Sequence, residues 1–427
     1  MTGDPAPSRA ALPSGASSGQ ARGHARRDRR WGCRRTDHGP GPGAGRDRVH
    51  GPGAGVRRGR ARCRVQPAAA RRAGARRLGL AAELADVGIA TTDLTYAHRL
   101  GQPILHRPCG VAAGFSFPQV AGHRGRVHRM LTDAVRARLG SDAIRTRHRV
   151  AGVEHSDGGV RVRFADDALP EATGDVLVGA DGIHSAVRAG LFPGEGPPRW
   201  NGVSMWRGAT DWPAFRGGRS MVVAGGNAAK LVVYPVGAGS APGTVLTNWA
   251  VCIATGADGD PAPQRQDWSR PADRDETLAH ARRFHLDDVD HLALVAATPE
   301  IFEFPMCDRD PLPRWSHGRV TLLGDAAHPM VPMGSNGAGQ AILDAESLAR
   351  HLAAGGDPAA ALAAYEAERL PMTADVVLRN RVGGPERVID EVERRAPDGF
   401  DDLDAVITGG ELEEIFAGYH RASGNTR

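Results

Sequence analysis

Apolar positions divide the chain into regions of different rhythm. Residues 1–64 hold only Met1, Leu12, Trp31, Val49 and Val56 as large apolar side chains, set among Gly, Ala, Pro, Ser and Arg. So little apolar surface cannot offset the entropy of ordering a backbone, and no domain is expected there. From Leu78 the spacing changes, and LGLAAELADVGI predicts an amphipathic helix. The alternating TTDLTYAHRLGQPI (91–104) predicts strands with a turn at Gly101 and Gln102. HRGRVHRMLTDAVRARL (123–139) predicts a helix with Val127, Met130, Leu131, Val135 and Leu139 on one face. Residues 150–166 predict two strands joined by a turn at 156–159.

Beyond residue 190 the pattern is mostly that of strands. SMVVAG (220–225), KLVVYPV (230–236) and TVLTNWAVCIA (244–254) predict antiparallel strands split by Gly, Pro and Asn turns. GAGSAPG (237–243) lies between two of them and reads as a hairpin turn. Two short apolar runs, VLV (176–178) and RVTLL (319–323), look like buried parallel strands. Each is followed by a Gly and Asp turn and then a helical pattern. The second of these helices begins near Ala338, with Ala341, Ile342, Ala345 and Leu348 spaced for one apolar face. Further helix is expected over 358–370 and through the C-terminal region. The result is a mixed α/β fold, with strand–loop–helix units on either side of an antiparallel sheet.

Charge sharpens the contrast between the first segment and the rest. Residues 1–80 carry nineteen arginines against Asp4, Asp28, Asp37 and Asp47, a balance of +15, whereas the whole chain is only +5. The remainder therefore carries −10, an acidic body that argues against nucleic acid as a partner. Lys230 is the sole lysine. The five cysteines are scattered without CxxC spacing, which favours a reducing cytoplasm over a disulfide framework or a zinc site. No run approaches the roughly 18 apolar residues that a membrane helix needs.

Chemistry concentrates in GDAAHPMVPMGSNGAGQAILDA (324–345). A carboxylate such as Asp325 at the carboxyl end of a strand suits the hydroxyls of a bound nucleotide. Glycines at a helix start let a ligand approach the backbone, where N–H groups and the helix dipole favour negative charge. An ordinary helix capped by Ser335 or Asn336 would need only one such residue. A second string, DVLVGADGIHSAVR (175–188), places Asp181 and Gly182 in a tight turn between a buried strand and a helix start.

Both strings resemble signatures of the FAD-dependent aromatic hydroxylases, the single-component flavoprotein monooxygenases. HRLGQPI, HRGRVHRML, MWRG and the tail 383–400 are similar to their phenazine-modifying subgroup. The resemblance implies a Rossmann-like FAD-binding domain with an antiparallel-sheet substrate domain. Residues 78–189 and 311–365 would form the first, 190–310 the second, and 366–427 a C-terminal helical region. It implies that Asp325 contacts the ribitol of FAD, and that the helix start at Gly337 and Ala338, with Gly334 and Asn336 beside it, faces the flavin N1–C2=O edge. Asp181 and Gly182 would lie near the pyrophosphate and the route of NAD(P)H, and Arg124 would reach the phosphate–ribose region. Pro329 and Tyr234 would lie on the substrate side, while Trp206 reads as core packing.

The implied activity is hydroxylation of an aromatic or N-heteroaromatic small molecule with NAD(P)H and O2, through a flavin C4a-hydroperoxide. A related flavin reductase or dehydrogenase, or a chain deficient in FAD, is the alternative. The last follows from residues 1–77, where glycines occur as GPGPGAG and GPGAG, with no apolar strand before them and no apolar helix after. They do not form a dinucleotide turn, so the first βαβ unit is degenerate. A basic binding arm, a transit peptide and a wrong reading frame of a GC-rich gene all match this composition. The wrong frame accounts best for two elaborate motifs lacking their first partner. Residues 1–64 are accordingly expected to be protease-sensitive, and the chain as written to hold FAD poorly. Resequencing should reveal a GxGxxG after an apolar strand upstream of Leu78. If no frame encodes it, the frame reading fails.

Overall fold

The structure, a computed structural model, describes the backbone of Arg64–Val65 and residues 78–422, with side chains over 78–416. The expectations for residues 1–63 and 66–77 lie outside the described residues. In chain order, β1 (Arg64–Val65) and α1 (Ala81–Val87) precede β2 (Gly88–Thr91), β3 (Asp93–Ala97), β4 (Pro103–Pro108) and β5 (Gln119–His123). Then come α2 (Arg124–Leu139), β6 (Val150–Ser156), β7 (Gly159–Phe164), β8 (Ala172–Gly174), β9 (Leu177–Gly179) and α3 (Ala186–Leu191). The long strands β10 (Arg199–Pro213), β11 (Ser220–Ala224), β12 (Ala229–Ala238) and β13 (Thr244–Ala254) follow. Next are α4 (Arg274–Ala281), α5 (His291–Ala296), β14 (Phe302–Asp308) and β15 (Val320–Leu322). The chain continues through α6 (Gly337–Ala353), α7 (Pro358–Arg381), α8 (Arg387–Arg395) and α9 (Gly409–Ala422). No helix among the described residues is long and apolar enough to cross a membrane.

The largest layer is a seven-stranded sheet in the order β14-β10-β13-β12-β11-β3-β4. Alternation along β12 and β13 separates its faces. Leu231, Val233, Val251 and Ile253 pack with Trp206 and Trp249 against residues of α4 and α5. Trp206 is therefore core packing, as expected. The other face meets the nucleotide half, where Tyr234 and Val236 pack on Ala121 of β5. The smaller half combines the β1-β5-β2 and β6-β7-β8 sheets with the parallel pair β9 and β15.

Three expectations need correction. Residues 93–108, expected in the first nucleotide segment, join the large sheet, because β3 pairs in parallel with β11. Alternation reveals a strand but not a partner more than a hundred residues away. On α6, Leu348 of the expected face is buried but Ala345 is exposed, and Gln340, Asp344 and Ser347 are buried as well. That helix packs through hydrogen-bonded polar groups, which a search for apolar spacing passes over. On α2, only Val127 of the expected face is buried; it packs with Met130 on Leu84, Val87 and Val120, while Leu131 is exposed. Helix α7 also runs past Pro371 to Arg381, carried on by the buried Thr373, Val376 and Val377.

The C-terminal region is tied to the 98–102 turn by buried polar groups. His98 is fully buried, accepts from the Leu100 N–H at Nδ1 (3.1 Å) and donates from Nε2 to the Ala396 carbonyl (3.1 Å). Protonation at Nδ1 would set two donors against each other. Burial accordingly lowers the pKa of His98, and likewise that of His291, whose Nε2 donates to the Ala281 carbonyl. A depressed histidine pKa contributes stability above its unfolded value of about 6.5, and that contribution is lost as pH falls below it. Thermal denaturation should therefore show a Tm that falls between about pH 6.5 and 5, with a shallower slope for His98→Gln. A flat profile in both proteins would contradict this.

Candidate functional site

Strands β9 and β15 lie parallel and in register, Leu177 opposite Val320 and Gly179 opposite Leu322. The Leu323 N–H continues the ladder to the Gly179 carbonyl at 2.9 Å. Both Gly and Asp turns thus leave the sheet side by side, at carboxyl strand ends, where open α/β sheets bind ligands.

Asp181, Asp325 and Asp344 meet different fates there. The Asp181 carboxylate accepts the Ser185 hydroxyl and the Ala186 N–H at 2.7 Å, so it is occupied in securing the start of α3. Asp344 is fully buried and accepts from Arg369 Nε at 2.8 Å, His328 Nε2 at 2.5 Å and the Gly324 N–H at 3.1 Å. Burial alone would raise its pKa, yet the His328 and Arg369 contacts hold it below the usual value. Asp325 is exposed and makes no hydrogen bond or ion pair among the described residues. It is the carboxylate left available.

The loop bearing Asp325 is fixed from two sides. Arg188, the last residue of the DGIHSAVR string, is 1% exposed and donates from Nη1 to the carbonyls of Ala326 (3.0 Å) and Ala327 (2.8 Å). Its other nitrogens meet Glu195 and the Asp310 carbonyl. Asp344 with His328 and Arg369 fixes the opposite side. The phenol of Tyr365 donates to the Leu322 carbonyl at 3.1 Å, holding β15 beneath. Pro329 is buried in the continuation of this loop.

Helix α6 begins with no capping side chain. Asn336 occupies the cap position, and its side chain makes no capping hydrogen bond. The reading of Ser335 or Asn336 as a conventional cap is therefore excluded. Before it, Gly334 and Ser335 both hold positive φ, 62° and 57°, so a non-glycine residue sits in a strained conformation beside the helix start. A Cβ on Gly337 would come no nearer than 3.8 Å to Met330 and 3.9 Å to the Asp325 carboxylate. Asp325 and the free start of α6 at Gly337 and Ala338 thus share one open corner. Gly182 lies at the neighbouring turn with φ 79°.

Arg124 stands elsewhere. It opens α2, and its guanidinium lies 4.9 Å from the ring centre of Trp268. The buried Arg207 sits over the same ring at 4.6 Å. Two residues earlier in that loop, the Gln266 carbonyl lies 3.2 Å from His184 Nε2, next to the Asp181 turn. Across the sheet, cross-strand pairing puts Met205, Cys252 and Lys230 in one row, and Arg207, Ala250 and Val232 in the next. Tyr234 follows on the same face, buried in the seam with Cys109, Ala121 and Met221.

A family model described as an FAD binding domain matches residues 75–380. The chain belongs to the FAD-dependent aromatic hydroxylases. Phenazine 1,6-dicarboxylic acid hydroxylase PhzS of Lysobacter antibioticus is 43% identical over 323 residues, 74% of this chain and 78% of that protein. The 6-hydroxynicotinate 3-monooxygenase of Bordetella bronchiseptica is 31% identical over 317 residues, 69% and 74% of the two chains. HpxO of Klebsiella pneumoniae, solved with FAD and uric acid, has the same fold, with a TM-score of 0.65 at 23% identity over 88% of this chain and 86% of that one.

FAD is the cofactor of this hydroxylase, and the residues suit one end of it. An exposed, unpartnered carboxylate and an uncapped helix start share a corner in which a Cβ on Gly337 would make only ordinary van der Waals contacts. Ribitol hydroxyls and an electron-rich ring edge fit that corner. The glycine-rich stretches GPGPGAG and GPGAG, read above as no dinucleotide turn, lie outside the described residues. Sequence reasoning missed His328, Asp344 and Arg369. The signal was present, since His328 and Asp344 are the ionisable residues of that string besides Asp325. Asp325→Ala should weaken FAD binding about tenfold or more with Tm unchanged, because only ligand hydrogen bonds are lost. Asp344→Ala should instead destabilise the fold by about 3–5 kcal/mol, leaving Arg369 without its buried partner. FAD titration and denaturant unfolding of both variants check the contrast; equal Tm losses would contradict it.

Proposed function

We propose that the chain hydroxylates a small aromatic or N-heteroaromatic molecule with NAD(P)H and O2, with phenazine-type acids the favoured substrate class. The reaction converts one ring C–H to C–OH, oxidises NAD(P)H to NAD(P)+ and reduces the second oxygen atom to water. The observation that carries this reading is the corner formed by Asp325 and the uncapped start of α6. Identity of 43% with a phenazine dicarboxylate hydroxylase supports the substrate class.

Bound FAD supplies the redox chemistry, accepting electrons from the nicotinamide and activating O2. The protein's part is to position and shield. Asp325 holds ribitol, and the N–H groups at Gly337 and Ala338, with the dipole of the 17-residue α6, stabilise negative charge on the adjacent ring edge. Gly334 and Asn336 shape that approach, and Asp181 and Gly182 set the neighbouring turn. Arg124 would trade its Trp268 stacking for the phosphate–ribose region. Pro329 and Tyr234 close the substrate side, and the buried floor keeps water away.

Oxygen uptake and product mass test the reading. With NAD(P)H, FAD and an aromatic acid, the product should gain one oxygen atom, and 18O2 should label it. NAD(P)H oxidation without a labelled product would instead assign a flavin reductase.

A further inference from the structure

The sole lysine, Lys230, is 4% exposed and projects from floor strand β12 beneath residues 331–334. A buried ammonium needs strong acceptors, and here the nearest is a thioether. Its Nζ donates to the Met333 thioether at 2.8 Å, and the nearest Glu386 oxygen is 3.5 Å away. That oxygen, Oε1, also accepts the Gly334 N–H at 3.3 Å. The other, Oε2, is buried without a partner among the described residues. Arg369 and Asp344, by contrast, meet directly at 2.8 Å.

The buried surroundings of the ammonium are sulfur-rich. Cys252 lies opposite Lys230 on one side and Met205 on the other, and Met306 and Met333 join the same cluster. Burial pushes the Cys252 thiol up to about 11, so it is neutral and offers no anion to the lysine. Thioethers and thiols are soft, adaptable partners for a flat aromatic ring. They are also poor hydrogen-bond acceptors, so an anion arriving there would be preferred over Met333.

We propose that Lys230 is a specificity-determining residue, whose ammonium receives a carboxylate of the aromatic substrate in place of the Met333 thioether. This rests on the hydroxylase reading and assigns the side chain that receives the acid group. Glu386 competes for the same ammonium and so tempers its affinity.

Binding of phenazine-1,6-dicarboxylate and of uncharged phenazine, followed by calorimetry on the full chain, separates anchor from strut. Lys230→Met should weaken the dicarboxylate about tenfold or more and leave phenazine unchanged. Glu386→Gln should tighten the dicarboxylate, because it frees the ammonium. The double variant removes both buried charges and should stay folded while losing all preference for the acid. Equal weakening of both compounds in Lys230→Met, or weaker acid binding in Glu386→Gln, overturns the proposal. So does a wild-type chain that does not distinguish acid from neutral parent. Failure to hydroxylate a compound that binds with the expected preference would count against the hydroxylase reading alone.

Discussion

A guanidinium taken out of water must meet acceptors on every side, and this fold uses that demand to build its site. Arg188 and Arg369 are both buried, and they grip the 324–328 loop from opposite directions. Arg188 takes backbone carbonyls, and Arg369 takes Asp344, which in turn takes His328 and the Gly324 N–H. Neither arginine need touch a ligand to matter. Together they hold the turn from which Asp325 points outward, so the one accessible carboxylate stands on a rigid base. A site fixed within the small tolerances of flavin chemistry needs this kind of support.

The same residue type does different work according to what surrounds it. Asp181 is spent on the start of a short helix, Asp344 on a buried network, and Asp325 on nothing within the described chain. Spacing alone ranks Asp181 and Asp325 as equals, since each follows a strand and a glycine. The difference is that α3 uses Asp181 and Ser185 as caps, whereas α6 starts on glycines after a strained Ser335. An uncapped helix keeps its N–H groups for a guest.

The large sheet has a corresponding division of faces. Its outer face is a plain apolar core of Trp206, Trp249 and aliphatic residues against α4 and α5. Its inner face mixes sulfur, small side chains and cations, and it is held against the nucleotide half through Tyr234 and the Glu386 segment. Residues 264–268 bridge the two halves, with Gln266 at His184 and Trp268 between Arg124 and Arg207. This seam is held by side chains contributed by distant parts of the chain.

Local pattern was enough for much of this. The β9 and β15 runs, the turns after them and the hairpin at 237–243 follow from short-range spacing, because strand alternation and glycine turns are encoded by neighbours. The family signature in residues 324–345 was legible for the same reason, as a continuous string with a backbone job at each glycine. What tertiary structure alone decided is everything that joins residues far apart. The parallel pairing of β3 with β11, the polar burial of α6 and the capture of Asp344 by Arg369 have no local periodicity. Nor does the approach of Lys230 to Glu386, across more than 150 residues. A buried charge looks, in sequence, like any surface charge. Only the fold shows which charges are removed from water, and those are the ones that shape the site.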